Sequence, residues 1–342
     1  MAKKKLPQYP SLHVQPSLFD DLELPGESPA DELPIHPSIE EFVVRSAPRG
    51  QQSDSTNKEK SDSTLTRPIS DLHPRDALFF ISFGSGSSGN AAFVGDNTGG
   101  FLIDAGRDLP TINEGLKSVG FSMADVKGII LTHDHSDHVH YVYSIVRKHP
   151  HIAVYCTPKT FSGIMRRHSI SRRLKDYHRP IYKEFPFTIG HFEITAFDVS
   201  HDGTDNVGYH ITRYPDDVRL TVATDLGCIT ERVDHYMRLA THIIIEANYD
   251  ATMLANGPYP AHLKARIAAE RGHLDNLVTA RFISSIASPA LQSVFLCHLS
   301  QDNNTPDTAR RALEEAIAET GLSINVEVLP RLTLSPLFTL RL

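Results

Sequence analysis

From Leu78 onward the chain alternates short apolar runs with segments of helical period. Gly128-Ile129-Ile130-Leu131 reads as a buried strand, and Val139, Val142, Ile145 and Val146 follow it at helical spacing. Residues 192–199 alternate apolar and polar positions as a half-buried strand does, and residues 220–222 and 294–296 are short apolar runs of strand type. The patterns predict helices over 230–240, 260–271, 274–285 and 306–319, the last opened by Pro306 and closed by Gly321. Strands that alternate with helices imply an α/β domain whose sheets are covered by helices. Residues 1–76 have another texture, rich in Pro, Ser, Asp and Glu with a polar run over 51–64, and read as a disordered arm.

The strand at 128–131 runs into Thr132-His133-Asp134-His135-Ser136-Asp137-His138. Helical metal ligands recur at i and i+4, whereas His133 and His135 are two residues apart, a spacing that suits an extended strand end. Both can then face one ion, while Asp137 and His138, where the chain turns into the next helix, can face another. The competing reading is a histidine-rich surface loop, which leaves unexplained why four such groups directly follow a buried strand. Further candidates stand at later strand ends: Ser200-His201-Asp202, Thr224-Asp225-Leu226-Gly227 and Cys297-His298-Leu299-Ser300. Loops at strand ends are where α/β sheets gather their ligands. Cys297 itself should point away from such a site, into the core.

Taken together, these residues resemble the metallo-β-lactamase superfamily over residues 78–342. The resemblance implies a four-layered αββα sandwich, with His133, His135 and His201 on one divalent ion, Asp137, His138 and His298 on a second, and Asp225 bridging them. It also implies that Asp104, in Leu102-Ile103-Asp104-Ala105-Gly106, orients a ligand histidine. The opening Gly84-Ser85-Gly86-Ser87-Ser88-Gly89-Asn90, with Glu246-Ala247-Asn248, Tyr259-Pro260, Gly272-His273-Leu274 and Asn303-Asn304, is similar to the bacterial WalJ/YycJ-like exonuclease branch. Two departures are Tyr249, where that branch commonly has His in Asn-His-Asp, and Asp275, where it commonly has Ser in Gly-His-Leu-Ser-Asn. The branch implies a DNA exonuclease acting 5′ to 3′, with Asp137 and Asp225 at the reaction centre and zinc or manganese as the metal. Imidazole and carboxylate donors without thiolate suit either ion. Two other functions are compatible with the same scaffold: hydrolysis of a small thioester, lactone or cyclic phosphodiester, and a non-catalytic repair adaptor that binds metal and DNA.

A formal net charge of −7 over 342 residues excludes a wholly basic nucleic-acid coat but leaves room for a locally positive groove. The three cysteines, Cys156, Cys228 and Cys297, form no Cys-x-x-Cys pair, so neither a disulfide framework nor a thiolate zinc site is expected. The start Met1-Ala2-Lys3-Lys4-Lys5 leads into Pro7 and Pro10 rather than an apolar segment, and no apolar run approaches the roughly 20 residues of a membrane span. A cytoplasmic protein without membrane contact is the expectation.

Other residues carry two readings each. The segment 165–179 holds Arg166, Arg167, Arg172, Arg173, Lys175 and Arg179, which either line a nucleic-acid groove or form a solvated charged face. The loop with Ser87 and Asn90 either contacts a substrate phosphate or is a tight turn. His273 is either a phosphate contact or proton donor, or a packed histidine. His140, Glu246 and Asn304 are further candidates for orienting ligand histidines. In the arm, Gln15-Pro16-Ser17-Leu18-Phe19-Asp20 resembles the peptide by which bacterial replication and repair proteins bind the DNA sliding clamp, with Gln15 anchoring and Leu18 and Phe19 filling an apolar pocket.

Overall fold

The computed structural model describes residues 73–214 and 216–342; the arm up to residue 72, with its Gln15, Leu18 and Phe19 peptide, lies outside the described residues, whereas its last four residues are described, His73 stacking on Phe121 at 4.5 Å. Two seven-stranded sheets form the centre. The first runs β14 (Phe338–Leu340), β1 (Leu78–Gly84), β2 (Ala91–Asp96), β3 (Gly99–Ile103), β4 (Val126–Ile130), β5 (Ala153–Cys156), β6 (His178–Pro180). The second runs β13 (Asn325–Val328), β12 (Ser293–Cys297), β11 (His242–Glu246), β10 (Val218–Ala223), β9 (Val207–Arg213), β8 (Phe192–Asp198), β7 (Phe187–Ile189).

Side chains of one strand point alternately to its two faces, and β1 shows where each face goes. Leu78 and Phe80 enter the core between the sheets, while Phe79, Ile81 and Phe83 pack outward beneath helices. In β12, Phe295 and Cys297 face the inter-sheet core, and Val294 and Leu296 face outward. Phe80 meets Phe295 edge to face at 5.4 Å, and Phe101 meets Phe192 at 5.5 Å, so aromatic pairs join the sheets. Helices α1 (Leu109–Ser118), α2 (Ser136–Val139), α3 (Val142–Lys148) and α4 (Pro158–Arg167) cover the first sheet. Helices α5 (Glu231–Leu239), α8 (Asn276–Ile286) and α9 (Pro306–Ala318) cover the second. Two short helices, α6 (Ala251–Asn256) and α7 (Ala261–Ile267), lie between α5 and α8 in the chain. This is the αββα sandwich, and burial on both faces explains why its central strands read as nearly continuous apolar runs.

Two predicted helices differ in extent. The pattern over 139–146 is broken between α2 and α3, because the Tyr141 backbone N–H donates to the Ala105 carbonyl at 2.9 Å instead of continuing one helix. The helix predicted over 260–271 is α7 alone, ending at Ile267, since the next turn offers only Ala268, Ala269, Glu270 and Arg271 to its apolar face. Strand β3 is parallel to β4, and β10, β11 and β12 are mutually parallel. Their carboxyl ends therefore share edges, and the polar residues after them converge.

Candidate metal centre and active site

Three residues at these strand ends have left-handed backbone: Asp104 (φ 61°) after β3, Asp225 (φ 53°) after β10 and His298 (φ 55°) after β12. Non-glycine residues adopt this conformation at a cost of order 1–3 kcal/mol each, held only by the surrounding structure. Here it turns each side chain from the strand direction toward a common centre. Close backbone approach completes the frame. A Cβ on Gly106 would lie 1.6 Å from the Asp137 carbonyl oxygen, so only glycine fits where Asp104-Ala105-Gly106 crosses the histidine motif.

Donor atoms of His133, His135 and His201 lie within 4.8 Å of one another, and so do those of Asp137, His138 and His298. Asp225 stands between the two groups. One of its oxygens is 3.8 Å from His201 Nε2 and 3.5 Å from His298 Nε2, and the other is 3.3 Å from His138 Nε2. All seven residues assigned by resemblance to metal binding are thus brought together.

Each imidazole is held from behind. Asp104 Oδ2 lies 2.7 Å from His138 Nδ1, and the same carboxylate accepts from the backbone N–H and hydroxyl of Thr132. Glu246 Oε1 lies 3.0 Å from His298 Nδ1, and the Gly272 carbonyl 3.1 Å from His201 Nδ1. Thr132 Oγ1 is 3.0 Å from His133 Nδ1. His135 is turned the other way, its Nε2 3.2 Å from Asp202 and its Nδ1 3.3 Å from His201 Nε2. The fixed nitrogen of each ring determines which nitrogen is left for a metal.

The electrostatics fit the same arrangement. Burial works against the charged form of Asp225, but the imidazoles of His298 and His138 outweigh it and hold its carboxyl well below the usual carboxylate range. Burial, with the imidazoles of His138, His201 and His135, holds His133 well below the ordinary histidine value, so its ring is neutral. Against burial, the carboxylates around His298, Asp225 foremost, push it up to about 10. His133 Nε2, His298 Nε2 and Asp225 Oδ2 are among the buried side-chain atoms that have no hydrogen-bond partner. Unpartnered polar atoms buried around Asp225 are costly unless a cation pairs with them, which at His298 would displace the ring proton, so this donor set fits divalent metal.

The remaining candidates divide. Asn90 joins the centre, its Nδ2 3.0 Å from Asp137 Oδ2 and 2.9 Å from His138 Nε2. Ser87 does not, being exposed; instead Ser85 Oγ accepts from the His298 backbone N–H at 3.0 Å. His273 also joins, its Nδ1 2.7 Å from Glu246 and its ring beside those of His201 and His298. Burial opposes its charged form, but Glu246 outweighs this and raises its pKa. Fully buried Glu246 additionally accepts from the backbone N–H groups of Leu226 and Leu274. Asn304 binds the Ala247 and Asn248 carbonyls, one step removed, whereas Asn248 Nδ2 reaches the His298 carbonyl at 2.7 Å. His140 lies on the surface against Tyr141 and orients no ligand. Arg166 is exposed on α4, and Arg167 lies 3.5 Å from buried Asp134, whose carboxylate also accepts from Thr204. Asp202 and the Gly272 carbonyl, neither assigned a role from the sequence, are the partners of His135 and His201.

The profile of the beta-lactamase superfamily domain matches residues 100–298. The chain belongs to the metallo-β-lactamase fold superfamily, as its sandwich and strand-end histidines require. It is 30% identical over 253 residues to the exodeoxyribonuclease YycJ of Bacillus anthracis, covering 72% of this chain and 92% of that protein. It is likewise 30% identical over 244 residues to the exodeoxyribonuclease WalJ of Streptococcus pneumoniae, covering 71% and 89%. These relatives place it in the WalJ/YycJ-like branch. The crystal structure of the metallo-beta-lactamase fold protein YhfI from Bacillus subtilis superposes with a TM-score of 0.57 at 16% identity, over 77% of this chain and 99% of that one. The protein is accordingly a metal-dependent hydrolase.

Proposed function

We propose that the protein is a two-metal phosphodiesterase that degrades DNA from an end, in the 5′ to 3′ direction. The observation that carries this reading is the position of Asp225 between two groups of largely buried donors, with one unpartnered atom in each group and one on Asp225 itself. His133, His135 and His201 would hold one ion and Asp137, His138 and His298 the other, with Asp225 placed to serve either group; zinc and manganese suit these donors. Such a pair supplies a water activated near neutral pH and neutralises charge developing on the phosphate.

The chain supplies orientation. Asp104, Glu246, Asp202, Thr132 and the Gly272 carbonyl fix the rings so that no reorganisation is needed as charge develops. Asp137, with its side chain 21% exposed, is the ligand carboxylate that solvent reaches, and it directs the attacking water by hydrogen bond. His273, whose charged form Glu246 favours against burial, is placed to contact a phosphate oxygen or give a proton to the departing one. The exodeoxyribonuclease relatives, matched over about nine tenths of their length, support DNA as the substrate. Asn90 and Ser87 on the glycine-rich loop, with Arg166 and Arg167 on α4, contact its backbone. In this reading the protein works in the cytoplasm in DNA repair or replication, recruited to the sliding clamp by Gln15, Leu18 and Phe19. Replacing Leu18 and Phe19 with Ala then abolishes clamp pull-down and leaves activity on free DNA unchanged; undiminished pull-down refutes the recruitment.

End-labelled single- and double-stranded DNA, incubated with the protein and manganese or zinc, tests the activity. The expected result is stepwise release of nucleotides, reduced at least about 100-fold in Asp225→Ala and His135→Ala. Degradation that survives both substitutions overturns the assignment.

A further inference from the structure

Helix α7 buries no residue completely, and its aliphatic side chains Leu263 and Ile267 are only half buried. Spaced four residues apart, they lie on one face of the helix. That face lines a cavity of about 130 Å³, bounded also by His201, Asp202, Gly272 and His273. The cavity therefore has an aliphatic wall on one side and a candidate metal ligand on the other. At its rim the Arg266 guanidinium donates to Asp202 through Nε (3.1 Å) and Nη2 (2.6 Å), and the second Asp202 oxygen is 3.2 Å from His135. The helix wall is thus tied, through two guanidinium nitrogens on one Asp202 oxygen, to the loop that follows β8, beside the histidine cluster.

The size and chemistry of this space limit what fills it. An aliphatic cavity of about 150 Å³ accepts a benzene molecule, so 130 Å³ has room for one planar ring and not for a stacked pair. Leu263 and Ile267 favour a flat apolar face, while Arg266 and His273 offer donors to ring or sugar oxygens at the edge. We propose that the cavity receives the terminal nucleobase of the DNA strand, resting on Leu263 and Ile267 with its phosphate directed toward the metal centre. The inference rests on the DNA-degrading activity proposed above and adds a physical reason for action at an end. A pocket the size of one base, walled by α7, suits the last nucleotide of a strand.

Ile267→Trp in the full-length, metal-loaded protein fills the pocket from a residue that is not in the folded core. The expected result is a fall of about tenfold or more in kcat/KM on DNA, with hydrolysis of bis(p-nitrophenyl) phosphate within about twofold of wild type. Ile267→Val retains both activities. Binding is read with a phosphorothioate oligonucleotide carrying 2-aminopurine: its fluorescence changes on binding wild type when the probe is terminal and not when it is internal, and the terminal change is lost in Ile267→Trp. Wild-type rates on DNA for Ile267→Trp, equal loss on both substrates, or equal response from terminal and internal probes each overturn the pocket assignment. A wild-type protein that hydrolyses the small diester but not DNA overturns the DNA substrate and the pocket with it, and hydrolysis of neither overturns the phosphodiesterase itself.

Discussion

Asp104→Asn isolates the contribution of one carboxylate to the centre. Asparagine tolerates the left-handed backbone that Asp104 adopts at φ 61°, so the turn after β3 is preserved. One side-chain oxygen remains to accept from the Thr132 backbone N–H, now 2.8 Å from Oδ1. What changes is the atom facing His138 Nδ1, at present Oδ2 at 2.7 Å. An amide N–H there cannot accept from Nδ1–H, so the neutral ring moves its proton to Nε2, the nitrogen that the proposed site needs for the metal. Loss of such a buttress typically weakens metal binding 10–100-fold, or about 1.4–2.8 kcal/mol. Competition against a chromophoric chelator measures this directly. Wild type should bind two ions, and Asp104→Asn should keep the His133, His135 and His201 site while weakening the His138 site by that factor. Two sites of unchanged affinity would refute the orienting role of Asp104 and the assignment of His138 as a ligand.

Further expectations concern backbone fit, acid stability and DNA contact. Gly106→Ala should destabilise the domain by at least about 2 kcal/mol in urea titrations and impair metal uptake, since its methyl meets the Asp137 carbonyl; unchanged stability would remove the close approach from the argument. Burial, first of all, lowers the pKa of His210 from 6.5 to about 4, and its Nδ1 lies 2.7 Å from Thr221 Oγ1. Because the unfolded chain takes up that proton first, stability contributed by this site is intact above pH 6.5 and falls by about 3 kcal/mol as pH drops to 4. His210→Asn should lose correspondingly less stability over that interval in urea titrations at pH 7 and pH 4, and identical losses would contradict the assignment. Arg166→Gln with Arg167→Gln should make log affinity for single-stranded DNA depend on log salt less steeply, by about 0.7 per lost phosphate contact; an unaltered slope would mean that the α4 arginines make no phosphate contact.

The sequence displays the candidate ligands because they occupy contiguous motifs at the ends of apolar strands, and the alternation of β8 is plain. Its supporting atoms are harder to see. The Gly272 carbonyl that holds His201 belongs to the backbone and has no residue-type signature. Asp202 was visible beside His201, yet its partner is His135, 67 positions earlier, and only the convergence of two sheet edges brings them together. Ser85 was indistinguishable from Ser87 and Ser88 within the same loop, and its role follows from the close approach of the β12 end to that loop. The shortened α7 follows from tertiary demand as well: the chain turns after Ile267 so that His273, whose backbone N–H donates to the Ile267 carbonyl at 2.8 Å, can reach Glu246.

The central claim is that two ions share Asp225, and anomalous diffraction from crystals soaked in manganese or zinc tests it most directly. Two peaks are predicted, one among His133, His135 and His201 and the other among Asp137, His138 and His298, each with a carboxylate oxygen of Asp225 as a ligand. A single peak, or ions bound away from Asp225, would contradict the two-metal account.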